Sequence, residues 1–203
     1  GHDDPEPGMR REILSRFLGR NGKALIMRNI VLIGYRGAGK TAVGKVLARK
    51  LGFTFIDTDE MIEGRAGRTI GEIVRERGWP FFRGLEREVL ADLGPVERAA
   101  IATGGGIPED PENRETLRRL GQVVWLTAAT GETLRRLRGD GTTETRRPPL
   151  EGRDLKGEIE RTLARRIPCY EAAADWTVDT TGRSVHDVAD EIMRKVKEET
   201  HGR

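Results

Sequence analysis

Ile30-Val-Leu-Ile-Gly34-Tyr-Arg-Gly37-Ala-Gly39-Lys40-Thr41 is the stretch that decides the fold of this chain. An apolar run ends at Gly34, and Gly39, Lys40 and Thr41 complete the pattern G-x-x-x-x-G-K-T. An apolar strand precedes it and the helical pattern Ala42-Val43-x-x-Val46-Leu47 follows, which is the context of a phosphate-binding loop. Glycines at 34, 37 and 39 permit φ values that other residues resist and let the backbone approach an anion closely. The N–H groups from Gly37, Ala38 and Gly39 through Lys40, Thr41 and Ala42 then form an anion nest, and the helix adds its positive end. Lys40 can reach the β- and γ-phosphates, and the Thr41 hydroxyl can sit on a magnesium ion. The implied ligand is a nucleoside triphosphate with a divalent metal. The bland alternative is a glycine-rich turn that merely joins strand to helix, and the flanking elements argue against it.

Working outward, 203 residues suffice for one domain with a proper core. The composition is 36% hydrophobic and 34% charged, so it is globular but highly charged. No apolar stretch approaches the roughly 20 residues that span a bilayer, and no secretory signal is visible. The expectation is a cytoplasmic protein without membrane contact, and Cys169 as the lone cysteine suits a reducing compartment. His2, His186 and His201 are scattered and form no metal cluster. The net charge is only +3, with arginines interleaved among acids, so nucleic acid is not the expected partner. Abundant arginine suits small anions instead, because its planar fork matches carboxylates and phosphates.

Residues 1 to 27 read as an appendage: Gly1-His2 resembles a scar left by tag removal, Asp3 to Gly8 reads as mobile, and Arg10 to Leu18 as a short basic helix. From residue 28 to 203 the pattern alternates. Strands are expected at 29–34, 53–57, 99–102, 122–127 and 175–179. Helices are expected at 40–51, 59–65, 69–77, 80–93, 111–120, 131–138, 154–173 and 184–198. Such βα alternation implies an α/β fold, a parallel sheet covered by helices on both faces. Ligands bind such sheets at the carboxyl ends of the strands, which lines up Gly34–Thr41, Asp57–Asp59 and Thr103–Gly106.

At the second strand's end stands Asp57-Thr58-Asp59. Residues two apart on an extended chain point the same way, so these carboxylates are expected to share a pocket, one towards magnesium and one towards a substrate. The competing reading makes Asp59 the cap of a helix starting near Glu60. The third strand ends in Thr103-Gly104-Gly105-Gly106, which either exposes backbone N–H groups to a ligand or is a flexible loop. Arg83 and Glu86 lie three apart beside the apolar side Phe82, Leu85 and Val89, and in isolation read as a solvated ion pair. Residues 139–153 form a long polar loop, either a lid whose arginines fold over phosphates or a plain insertion. In the last long helix but one, Leu155, Ile159, Leu163 and Ile167 set the apolar stripe. Arg166 lies near it and needs an anionic partner, structural or ligand. Pro168 is expected to bend that helix.

Taken together, G-x-x-x-x-G-K-T at 34–41, D-T-D at 57–59, F-R at 82–83, T-G-G-G at 103–106, R-P at 147–148 and R-x-P-x-Y at 166–170 resemble the shikimate kinase family from about Asn29 to Val196. The resemblance implies a three-layer αβα P-loop kinase of the nucleoside-monophosphate-kinase type. Its five-stranded parallel sheet has the order 2-3-1-4-5. It implies transfer of the γ-phosphoryl group of ATP to the 3-hydroxyl of shikimate, with Mg2+, by a monomer. In that family's terms Lys40 holds phosphate, while Thr41 and Asp57 serve the metal. Asp59 binds the shikimate hydroxyls and accepts the proton. Arg83 and Arg166 grip the carboxylate with backbone at Gly105 and Gly106. Arg147 comes from the lid, and Arg136 and Arg183 flank the adenine. The chain departs from the family's R-P-L-L at Arg147-Pro148-Pro149-Leu150, and Arg146 is the alternative lid residue. A gluconate kinase would share Lys40 and Thr41 but not need Arg83, Arg166 and the glycines. A nucleotide-dependent switch protein would carry an acid where the triple glycine stands.

Overall fold

Every residue of the first strand, β1 (Asn29–Ile33), is buried. Its side chains alternate between two apolar layers, as the pleat requires. Ile30 and Leu32 pack with Val43 and Leu47 of α1 (Lys40–Leu51) and with Val188 and Ile192 of α7 (Val185–His201). Val31 and Ile33 face the opposite way, onto Leu90 of α3 (Ile70–Asp92), Leu117 of α4 (Pro111–Leu120) and Tyr170 of α6 (Leu155–Ala173). A strand that is apolar on both faces can only be an inner strand of a sheet covered on both sides, and this one is central.

The computed structural model describes residues 28–139 and 154–201. Parallel strands β2 (Thr54–Asp57), β3 (Ala99–Ala102), β4 (Gly121–Thr127) and β5 (Trp176–Asp179) complete a sheet of order β2-β3-β1-β4-β5. Val31 pairs with Ile101 on one side and Val123 on the other. The expected order 2-3-1-4-5 is therefore the observed one, with helices in layers on both faces. Helices α2 (Thr58–Ala66) and α5 (Thr130–Gly139) complete the set among the described residues. None of these helices is long and apolar enough to cross a membrane. The appendage at 1–27 and the lid from residue 140 on, with Arg146 and Arg147, lie outside the described residues.

Most expected boundaries hold to within a residue or two, and the exceptions have local causes. The two helices expected at 69–77 and 80–93 are the two halves of α3, parted by the non-helical Gly78 (φ 78°, ψ 169°) just before Pro80. Its start is fixed by a capping box: Thr69 accepts from the Glu72 amide, and Glu72 accepts from the Thr69 amide. A short 3-10 turn, Ile107–Glu109, follows the triple glycine. Pro168 sits inside α6 without ending it. On α6 the buried positions are Ile159, Tyr170 and Ala173, while Ile167 is 36% exposed. The stripe expected through Ile167 instead turns through Arg166.

At the end of β1 remote from the phosphate loop, Asn29 acts as a staple. Its amide donates to the carbonyls of Val96 (2.7 Å) and Leu120 (2.9 Å), and its side-chain oxygen accepts from the Ala99 amide (2.9 Å). One buried side chain thus joins β1, the entry to β3 and the end of α4. Asn29→Ala leaves these buried backbone groups unpaired. It is expected to lower unfolding stability by about 3 kcal/mol, read from the urea midpoint at constant m-value. A loss below about 1 kcal/mol would show that water replaces the amide.

Candidate active site

The phosphate loop leaves β1 at Gly34, whose φ of 137° suits glycine. A Cβ there would collide with the Leu126 carbonyl of β4. Gly37 and Gly39 hold φ values of 79° and 93°, and Gly39 is the residue before α1. The left-handed conformations bend the chain around a concavity opening on the helix N-terminus. The Lys40 ammonium is drawn back onto this loop, donating to the carbonyls of Gly34 (2.8 Å) and Tyr35 (2.9 Å). Tight curvature has put those carbonyls within its reach.

The two aspartates of D-T-D part company. The strand stops at Asp57, which caps α2 by accepting from the Asp59 amide (3.0 Å). Its other carboxylate oxygen accepts from the Thr41 hydroxyl (2.9 Å). Asp57 is thus the cap, not Asp59, and helix α2 begins at Thr58. Extended-chain alternation therefore does not apply between them, and Asp57 contacts the Thr41 hydroxyl while Asp59 lines the adjoining cavity. A Cβ on Gly104 would lie 2.8 Å from the Asp59 carboxylate and 3.0 Å from that of Glu86.

That cavity, of about 240 Å³, is lined by Asp59, Arg83, Glu86, Gly104–Gly106 and Arg166, and by Tyr35 and Arg36 of the phosphate loop. The triple glycine is not a loose loop. Thr103 donates through both its amide (3.1 Å) and its hydroxyl (3.0 Å) to the Leu32 carbonyl. The Gly104 amide donates to the Thr58 hydroxyl (3.0 Å), and the Tyr170 hydroxyl donates to the Gly105 carbonyl (2.6 Å). Burial raises the Tyr170 phenol far above its ordinary pKa, so it stays a donor. A Cβ at 106 would meet the Arg83 guanidinium, so any larger residue there displaces that side chain.

The Arg83–Glu86 pair is not a solvated surface pair. Glu86 is 1% exposed and Arg83 27%, at 2.5 Å. Burial raises the Glu86 carboxyl above its ordinary value, against the opposing pull of Arg83. Arg166, 15% exposed, finds the anionic partner that its position demanded in Glu109, at 2.8 Å. Glu109 also meets Arg165 at 3.2 Å and Arg83 at 3.4 Å. Neither Glu109 nor Arg165 was singled out by sequence reasoning. Their spacing from the motifs carries no signal, because the 3-10 turn and α6 meet only in the folded chain. Tyr170 carried a signal, standing one helical turn after Arg166 on the same face.

On the far side of the phosphate loop, Arg136 donates to the Gly37 carbonyl (3.0 Å), to the Thr180 hydroxyl (3.0 Å) and carbonyl (2.8 Å), and to Glu132 (2.8 Å). Hydrogen bonds from Arg135 first, then from Arg136, hold the Glu132 carboxyl down to about 2. Arg183 donates to the Asp179 carbonyl (3.0 Å) and pairs with Glu191 (2.6 Å). Both arginines thus stand at the carboxyl end of β5, away from the cavity. Among the described residues, no group of three or more His, Cys, Asp or Glu is arranged to hold a metal.

A family model described as shikimate kinase matches residues 36–197. The shikimate kinase of Syntrophus aciditrophicus is 43% identical over 176 residues, covering 83% of this chain and 90% of that protein. That of Symbiobacterium thermophilum is 46% identical over 170 residues, covering 84% and 97%. Among solved structures, shikimate kinase from Acinetobacter baumannii in complex with shikimate superposes with a TM-score of 0.80 at 34% identity, covering 85% of this chain and 94% of that one. With the family pattern matched along most of its length and a cavity of acids, glycines and arginines beside the phosphate loop, this chain belongs to the shikimate kinase family.

Proposed function

We propose that the chain transfers the γ-phosphoryl group of ATP to the 3-hydroxyl of shikimate, giving shikimate 3-phosphate and ADP on the way to chorismate and the aromatic amino acids. One observation carries this reading. The cavity that holds Asp59, Arg83 and Arg166 adjoins the phosphate loop, for a Cβ on Gly105 would lie 3.2 Å from the Gly34 carbonyl and 3.6 Å from the Arg36 amide. Donor and acceptor sites with a shared wall are what in-line transfer needs, since the chemistry is mainly positioning and charge neutralisation.

In this reading the backbone from Gly37 to Ala42 and Lys40 hold the triphosphate, and Arg136 and Arg183 flank the adenine. Arg83 and Arg166, with the backbone of Gly105 and Gly106, take the shikimate carboxylate. Asp59 accepts from the shikimate hydroxyls and takes the proton as the oxygen attacks. Arg147, with Arg146 as the alternative, approaches the phosphates from the lid. The hydroxyl of Thr41 and the carboxylate of Asp57, already in contact, are hard oxygen donors. They suit Mg2+, which is held by one or two carboxylates together with phosphates and water. When bound, that ion neutralises charge on the phosphoryl oxygens. The enzyme works as a monomer in the cytoplasm, and light scattering that returns the mass of two chains overturns the first half of that statement.

ADP release is expected with shikimate and not with gluconate or quinate. Equal ADP release with and without shikimate overturns the assignment. Asp59→Asn is expected to lower kcat by at least about 100-fold, the scale of a lost general base, with little change in ATP affinity. If ATP affinity falls as far as turnover does, Asp59 belongs to the donor site.

Glu86 gives a pH signature. In the unfolded chain its carboxyl ionises near 4.5, and in the folded chain at a higher pH. Between the two, the native state keeps a proton that the unfolded state has released, so this group's contribution to stability falls as pH rises. The melting temperature of the wild type is therefore expected to decline relative to that of Glu86→Gln as pH is raised from about 4 through that window. Parallel curves would mean that Arg83 offsets the burial fully.

A further inference from the structure

We infer that Glu109 is a positioning residue for the acid-binding arginines, holding them from outside the cavity so that their remaining donors face the substrate. The inference rests on the reading that Arg83 and Arg166 take the carboxylate. Three guanidinium groups converge on this one carboxylate. Arg166 gives it Nε (2.9 Å) and Nη2 (2.8 Å), Arg165 gives Nη2 (3.2 Å), and Arg83 gives Nη2 (3.4 Å). Those three arginines line the cavity and Glu109 does not. The Nη1 of Arg166 lies on the glycine side, 3.8 Å from where a Cβ on Gly105 would stand. Glu109 therefore occupies the back edge of the Arg166 fork and leaves the other edge turned towards the site.

The turn that carries Glu109 is itself anchored. The Glu109 backbone amide donates to the Gly106 carbonyl (3.0 Å), and the Ile107 amide to the Gly104 carbonyl (3.2 Å). From α4, Arg114 donates to the Pro108 carbonyl (2.7 Å) and Asn113 to the Ile107 carbonyl (3.1 Å). The glycines and the arginines thus share one rigid reference point. Without it three like charges repel one another at close range, and Arg166 loses the acceptor that fixes its plane.

Steady-state kinetics of the full chain test this. Glu109→Ala is expected to raise the KM for shikimate about tenfold, with a much smaller change in kcat and in the KM for ATP. Glu109→Gln, whose amide oxygen still accepts from Arg166, is expected to recover most of that loss. Arg166→Ala is expected to raise the KM at least as far, and the double variant to add little more, because Glu109 acts through that side chain. Should Glu109→Ala fail to fold, Glu109→Asp is read in the same way. An unchanged KM in Glu109→Ala with a raised KM in Arg166→Ala overturns the positioning role and leaves the clamp standing. An unchanged KM in both overturns the clamp as well. A lowered KM in Glu109→Ala overturns the inference in favour of a carboxylate that competes with the substrate.

Discussion

A central strand sealed on both faces is the constraint from which the rest of the molecule follows. Nothing polar can sit along Ile30 to Ile33 without an internal partner, so the chemistry is driven to the strand ends. At one end Asn29 closes the sheet with three hydrogen bonds. At the other, the chain leaves β1 beneath the Leu126 carbonyl through Gly34, and the exits of β2 and β3 bring Asp57 and Gly104 alongside. The Leu32 carbonyl, reaching past the end of the β3 pairing, is taken twice by Thr103. The triple glycine is thereby tied to the same strand that launches the phosphate loop.

Two helices carry charge where periodicity calls for apolar side chains. Glu86 stands in the buried face of α3 between Phe82 and Val89, and Arg166 stands between Ile159 and Tyr170 on α6. Burying a charge is costly, and losing its partner costs more. Such positions persist where the charge is needed for something beyond stability. Each is paired within its own layer, Glu86 with Arg83 and Arg166 with Glu109, so the arginines are fixed before any ligand arrives.

Much of this was legible in the sequence. The strands, the phosphate loop and the alternation came from apolar period and glycine placement, while the strand order came from the family resemblance. What was not legible depended on where helices begin and what they meet. Asp57 and Asp59 were expected to point together by the alternation of an extended chain, yet α2 starts at Thr58, so the helix and not the strand sets the heading of Asp59. The stripe of α6 was drawn through Ile167 because an arginine is a poor core candidate by composition. Arg166, paired with Glu109, is instead the half-buried member, and Ile167 is exposed. Glu109 itself lies on a turn with no periodicity, and its partners come from two helices distant in the chain.

The bond from Tyr170 to Gly105 reaches further than the carbonyl it engages. A trans peptide is planar and stiff, and its C=O and N–H point in opposite directions. Fixing the Gly105 oxygen on the Tyr170 side, at 2.6 Å, therefore also fixes the heading of the Gly106 N–H on the other. The phenol works as a remote set-screw. From the hydrophobic layer beneath the sheet, where it stacks near Trp125, it aims an amide that it never touches.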